Sequence, residues 1–194
     1  MATSIEPRAV TPIAPSDPAP ITAFIVAVPE AEPLVADLRA RFDPSAAEGV
    51  PAHVTVLVPF MAPDALTPAV LARARTLCAA EPAFDFRLTA VRRWPTTCWL
   101  APEPSAPFVA LTRAMVDAFP GYPPYAGQHA DIVPHLTVAD GDAAAADAAE
   151  AALRARWPAD APGRCRCTEV LLIGRHGARW RTLHRLPLGP STGL

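Results

Sequence analysis

Four cysteines, Cys78, Cys98, Cys165 and Cys167, include no C-x-x-C pair, the spacing a dithiol site requires. Cys165 and Cys167 stand two apart in a predicted strand and face the same way. The four are expected to be free buried thiols of a reducing compartment. No apolar run approaches the roughly 20 residues of a membrane span. The longest, Ile21 to Val28, follows Pro-rich, nearly uncharged sequence instead of a basic leader, so the expected compartment is the cytoplasm and no membrane partner is expected. A basic excess is also missing: 17 basic residues face 19 acidic ones, for a net charge of −2. An extended nucleic-acid surface is thereby disfavoured.

What is present is globular. The chain has 194 residues, 51% hydrophobic and 19% charged, enough to bury a proper core. Residues 1–20 hold Pro7, Pro12, Pro15, Pro18 and Pro20 with no apolar period and read as a disordered tail; 189–194 read as a second tail. Between them, Thr22 to Val28 predicts a strand buried on both faces. A helix follows near Pro33, with Leu34, Val35, Leu38 and Phe42 at helical spacing. Thr67 caps a second helix, Ser105 a third and Asp142 an Ala-rich fourth. Phe84 to Trp94 alternates, with Phe84, Phe86, Leu88 and Ala90 on one face, and turns at Pro95 into a strand from Thr97 to Ala101. Two last strands are predicted at 164–173 and 179–186, joined by a turn at Gly174 to Gly177.

Two segments repeat one pattern. Pro51-Ala52-His53-Val54-Thr55-Val56 and Pro134-His135-Leu136-Thr137-Val138 each read His, apolar, Thr, apolar, with the histidines 82 positions apart. Side chains of a strand alternate between faces, so in each copy His and Thr share one face and the apolar residues take the other. Side by side, two such strands set two imidazoles and two hydroxyls in one cleft above an apolar core. That geometry fits a phosphate between a proton donor and a proton acceptor, on a small phosphate ester or the end of an RNA. Each copy is preceded by a helix and followed by a helix and further strand, with Trp99 and Trp180 at matching distances. The chain is therefore read as α+β: one domain over 21–188, made of two duplicated ferredoxin-like halves, about 21–103 and 104–188, around one cleft.

The other histidines, His129, His176 and His184, are read as structural or solvent-facing. Two histidines alone lack the further ligands of a zinc site, and no Ser or Cys lies in a Gly-rich elbow for a nucleophilic triad. No metal and no cofactor are expected.

On these residues the chain resembles the 2H phosphoesterase superfamily, which includes bacterial 2′-5′ RNA ligases and RNA 2′,3′-cyclic phosphodiesterases. The resemblance rests on His53-Val54-Thr55-Val56 and His135-Leu136-Thr137-Val138 and covers about residues 21–188. The stretches His53 to Phe60 and Trp99-Leu100-Ala101-Pro102-Glu103 also resemble bacterial members. It implies metal-free phosphodiester chemistry on a small nucleotide or RNA terminus by a monomer. His135 would be the general base, His53 the general acid, and Thr55 and Thr137 would hold the non-bridging oxygens. The same site can run as ligase, or persist as a nucleotide-binding module without turnover. Phe60, Tyr122 and Tyr125 are the expected base-contacting aromatics, beside Trp94 and Trp180, which hairpin packing would equally explain. Arg93 and Arg175, with Arg92, are the expected phosphate-attracting charges.

Overall fold

The computed structural model describes residues 21–127, 131–157 and 163–191. The Pro-rich start, the last three residues and His129 lie outside them. Eight strands form one sheet: β1 (Thr22–Ala27), β2 (His53–Phe60), β3 (Phe84–Trp94), β4 (Thr97–Glu103), β5 (Leu136–Asp140), β6 (Cys165–Cys167), β7 (Glu169–His176) and β8 (Arg179–Pro187). Their order is β6-β3-β4-β5-β2-β1-β7-β8, and every neighbouring pair is antiparallel. The two His-Thr strands thus lie next to each other at its centre.

Helices α1 (Glu32–Phe42), α3 (Pro68–Ala80), α4 (Ala106–Ala118) and α5 (Ala143–Arg156) cover one face; α2 (Pro44–Ala47) is a single turn beside α1. Val35 and Leu38, Ala74 and Cys78, Phe108, Leu111 and Met115, and Ala149 and Leu153 meet Phe24, Val54, Val56, Leu88, Leu100, Leu136 and Val138 in the main core. Thr67 and Asp142 cap α3 and α5, accepting from the Val70 and Ala145 amides. Ser105 does not cap α4: its backbone is already helical and its side chain makes no cap bond. A second, smaller cluster of Ala23, Ile25, Val50, Leu171 and Ile173 lies on the opposite face. β1 is consequently buried on both sides, as its continuous apolar run predicts.

Several expectations need correction. The strand predicted over 164–173 breaks at Thr168, and its two pieces part company. β6 pairs with β3 at one edge, while β7 pairs with β1 and β8 in the other half of the sheet. One residue can link the two only because the sheet curls until its ends approach. Gly189 fastens that curl through Ala83 N to Gly189 O (2.9 Å) and Gly189 N to Glu81 O (2.8 Å). The turn expected from Gly174 falls later, because β7 runs to His176. Two contiguous ferredoxin-like halves are not confirmed. The four strands on the His53 side come from 22–60 and 169–187; the four on the His135 side come from 84–140 and 165–167.

Candidate active site

β2 and β5 pair through Val54 and Leu136, which point into the core. Their neighbours in sequence, His53, Thr55, His135 and Thr137, therefore emerge together on the opposite face, where they line one cleft of about 850 Å³. Both imidazoles are held alike. Nδ1 of His53 donates to the Pro51 carbonyl at 2.8 Å, and Nδ1 of His135 to the Val133 carbonyl at 2.7 Å. A carbonyl can only accept, so both rings carry their proton on Nδ1, and acid–base work falls to Nε2.

The surroundings of the two rings differ. His135 stands among aromatics: Trp94 at 4.8 Å and Trp99 at 5.9 Å, both edge-on, and Tyr125 stacked at 6.2 Å. His53 adjoins the smaller apolar cluster, since its β1 partner is Ala27. Desolvation by this burial, reinforced by the Arg39 and His135 charges, pushes its pKa down from 6.5 to about 4, against opposing help from the Pro51 carbonyl and Asp43. It is a neutral imidazole at neutral pH.

Beside His53 lies a buried ion pair that the sequence reading missed. Arg39 meets Asp43 at 2.8 Å, and its guanidinium also donates to the Val50 carbonyl (3.2 Å) and Ser45 Oγ (3.2 Å). Asp43 in turn accepts from the Ser45 amide and caps α2. The pair fixes the segment 43–52 that delivers His53. Its signal was an i,i+4 Arg–Asp spacing followed by Pro-Ser.

Not every expected binding residue reaches the cleft. Tyr125 lines it. Phe60 does not: it is 2% exposed, with its ring 4.9 Å from Phe24, 5.1 Å from Phe119 and 4.8 Å from Tyr122, which packs against the core with it. Alternation from Val54 already sends Phe60 to the core face; two bulges in β2, at Val56 and just before Phe60, cancel at that residue, and between them turn Leu57 inward and leave Val58 on the cleft side. A bulge near Thr89 in β3 works likewise. Val91 takes the core position expected of Ala90, Trp94 turns into the cleft, and Arg93 turns toward α5. There Arg93 donates to Ala143 O (3.2 Å) and pairs with Asp147 (2.9 Å). Arg175 lies over the Trp180 ring at 5.7 Å, and Trp180 Nε1 donates to Glu48 at 2.8 Å. Among the described residues no arginine lines the cleft, the chain has no lysine, and the charged lining is Asp43, Asp131 and Asp140. No three His, Cys, Asp or Glu side chains among the described residues are placed to hold a metal ion, and no described helix is long and apolar enough to cross a membrane.

A curled antiparallel sheet whose two central strands bring paired histidines to one cleft is the architecture of a 2H phosphoesterase. The chain belongs to the 2′-5′ RNA ligase superfamily, whose family model matches residues 27–179. Solved structures agree on the fold. Escherichia coli LigT complexed with 3′-AMP is similar at a TM-score of 0.56 and 18% identity, over 88% of this chain and 99% of that one. TT0787 of Thermus thermophilus also gives 0.56 and 18%, over 88% and 98%. A crystal structure described as a phosphoesterase gives 0.57 and 17%, over 88% and 99%. No curated protein matches.

Proposed function

We propose that the chain is a metal-independent phosphoesterase that opens 2′,3′-cyclic phosphates, or cleaves 2′-5′ phosphodiesters, in small nucleotides or at RNA ends. The observation that carries this reading is the shared setting of His53 and His135, with Thr55 and Thr137, in one cleft. In hydrolysis one imidazole takes a proton from water as its oxygen bonds to phosphorus. The other gives a proton to the ribose oxygen as the P–O bond breaks, leaving a phosphomonoester. Thr55 and Thr137 donate to the non-bridging oxygens as charge builds on them. By family resemblance His135 is the base and His53 the acid. His53 then gains its proton when the anionic phosphate enters beside it, and reversal of the reaction exchanges the roles. E. coli LigT structures hold 3′-AMP, phosphate, ATP or NADP+, which supports a small phosphate-bearing nucleotide as the substrate class proposed for this chain. Asp131 and Asp140 in its lining, beside an Asp43 already neutralised by Arg39, favour one phosphate over a charged strand.

The test is product identity. Purified protein in excess EDTA is given 2′,3′-cyclic mononucleotides, short cyclic-ended RNAs and 2′-5′ dinucleotides. Phosphomonoester products are expected. Tight binding of nucleotides with no turnover of any of the three would replace the enzyme with a binding module.

A further inference from the structure

Tyr125 links the two motifs across the cleft. Its phenol is hydrogen-bonded to Thr55, beside His53, while its ring stacks on His135 with an interplanar angle of 24°. The backbone that delivers it is unusual. Tyr125 has φ 50° and ψ 36°, and Ala126 φ 53° and ψ 29°, both left-handed, before Gly127 at φ 78°. Two consecutive non-glycine residues in that region are strained and persist only where the surroundings over-determine them. The surroundings here are Thr55 and His135, with Ala126 N bonded to Pro123 O at 3.1 Å and Tyr122 anchored on Phe60.

We propose that Tyr125 is a positioning residue that sets the Thr55 hydroxyl for the phosphate and holds the His135 ring in plane. The proposal rests on the phosphoesterase reading of the same site. A phenol is more acidic than an aliphatic hydroxyl, so with phosphate bound Tyr125 O–H donates and Thr55 Oγ1 accepts; in the free protein Thr55 can turn its hydrogen to the ionised phenol, the sense in which this bond lowers the Tyr125 pKa. Thr55 keeps its own hydrogen for a phosphate oxygen. Accepting one bond strengthens the bond it donates and fixes the rotor that would otherwise turn. The nearly parallel, offset ring serves His135 similarly, flanking one side of the imidazole while the Nδ1 bond to Val133 fixes its edge. Tyr125 acts in this scheme through Thr55 and His135.

The experiment is a double-mutant cycle of Tyr125→Phe and Thr55→Val. Tyr125→Phe keeps the ring and removes the donated proton. It should lower kcat about tenfold, less than the 10²- to 10³-fold typical of losing a direct oxyanion donor, and leave KM within about twofold. In the Thr55→Val background the same change should cost less than about twofold, because its target is gone. An undiminished effect there overturns the proposal, as does an unchanged kcat for Tyr125→Phe alone. A second measurement needs no turnover. Burial raises the phenol pKa and the Thr55 bond opposes that rise. In a Tyr122→Phe background, Tyr125 is the last tyrosine of the two in the chain, and its ultraviolet titration can be followed alone. Thr55→Val should move that midpoint upward, and an unmoved midpoint overturns the Tyr125–Thr55 link. A protein that turns over no substrate in the panel but shows the upward shift would refute the enzymatic reading while leaving the link standing.

Discussion

His53 and His135, far apart in sequence and neighbours across two strands, solve the same problem in the same way. Each gives its Nδ1 proton to the carbonyl two residues before it, Pro51 or Val133. The residue before each strand thereby chooses the tautomer and aims the ring. If the two rings form one acid–base pair, His53→Ala or His135→Ala should each lower turnover on the order of 10²- to 10⁴-fold. The double variant should be little worse than either single one, since the groups act as a unit. Initial rates on the substrate identified by product analysis, with melting curves to show intact folding, check this. Turnover surviving either alanine variant defeats the mechanism.

The Arg39–Asp43 pair should matter more for folding than its surface counterparts. Arg39 is 2% and Asp43 5% exposed. Asp43→Ala leaves a buried guanidinium without its counter-charge, a loss on the order of 3–5 kcal/mol when a buried pair is broken from one side. Arg156 and Asp37 also meet at 2.9 Å but mostly in solvent, where screening leaves little to lose, so Asp37→Ala should barely move the unfolding midpoint. Urea denaturation of the two variants compares them directly, and equal losses would remove Arg39–Asp43 from its structural role.

Gly189 is the seam of the curled sheet. A Cβ there would stand 2.5 Å from the Ala79 carbonyl oxygen and 3.3 Å from that of Glu81, both backbone atoms. Gly189→Ala must therefore push the strand end away from α3 and the start of β3. A loss of about 1–3 kcal/mol, the range for overpacking, is expected in thermal or urea unfolding. Gly121→Ala meets nothing within 4 Å and stands outside the positive-φ region, so it should change stability by less than about 0.5 kcal/mol. Comparable losses in both would show that the close approach at residue 189 is not a constraint.

Burial explains the inertness expected of the thiols. Desolvation pushes Cys78 and Cys167 up to about 12, and Cys98 and Cys165 up to about 11. The thiolate is the reactive form, so native protein at mildly alkaline pH should react with a thiol reagent only on the timescale of opening. All four cysteines should label at once in denaturant. Rapid labelling of any one in the native state would contradict its buried position.

The alternation His-x-Thr was legible because it needs only period two and an apolar core, and the sheet places both copies as that period requires. What lay beyond the sequence was register. Bulges in β2 and β3 depend on the partner strand, and they decide that Arg93 leaves the site while Val58 and Trp94 enter it; Phe60 keeps the core face that plain alternation from Val54 gives it. The break at Thr168 is of the same kind: nothing between Cys165 and Ile173 announces a change of partner, because the curl that permits it is a property of the whole sheet. The halves matched in sequence because each carries the same elements, yet β7 and β8 of the second half join the His53 side of the sheet, while β3 and β4 of the first half join the His135 side.

His53 gives the protein a pH dependence of fixed sign. Its folded-state pKa is pushed down to about 4 from the ordinary 6.5. Between those values the unfolded chain binds a proton at this ring that the folded chain refuses, so stability falls as pH falls through the window and is fully present above it. One pKa unit corresponds to about 1.4 kcal/mol; because the ring lines an open cleft and keeps part of its water, about 1–2 kcal/mol across the window is expected. His53→Gln keeps a donor for the Pro51 carbonyl but cannot take up the proton. Between about pH 7 and about pH 4.5 the wild type should therefore lose roughly that much more stability than the variant, read from urea midpoints and slopes. A phosphodiester bound in the cleft should shrink the difference, because its negative charge restores the proton's welcome. Equal acid sensitivity of wild type and His53→Gln would show that the ring is solvated enough to titrate normally. His53 could then carry its proton near neutral pH without a bound anion.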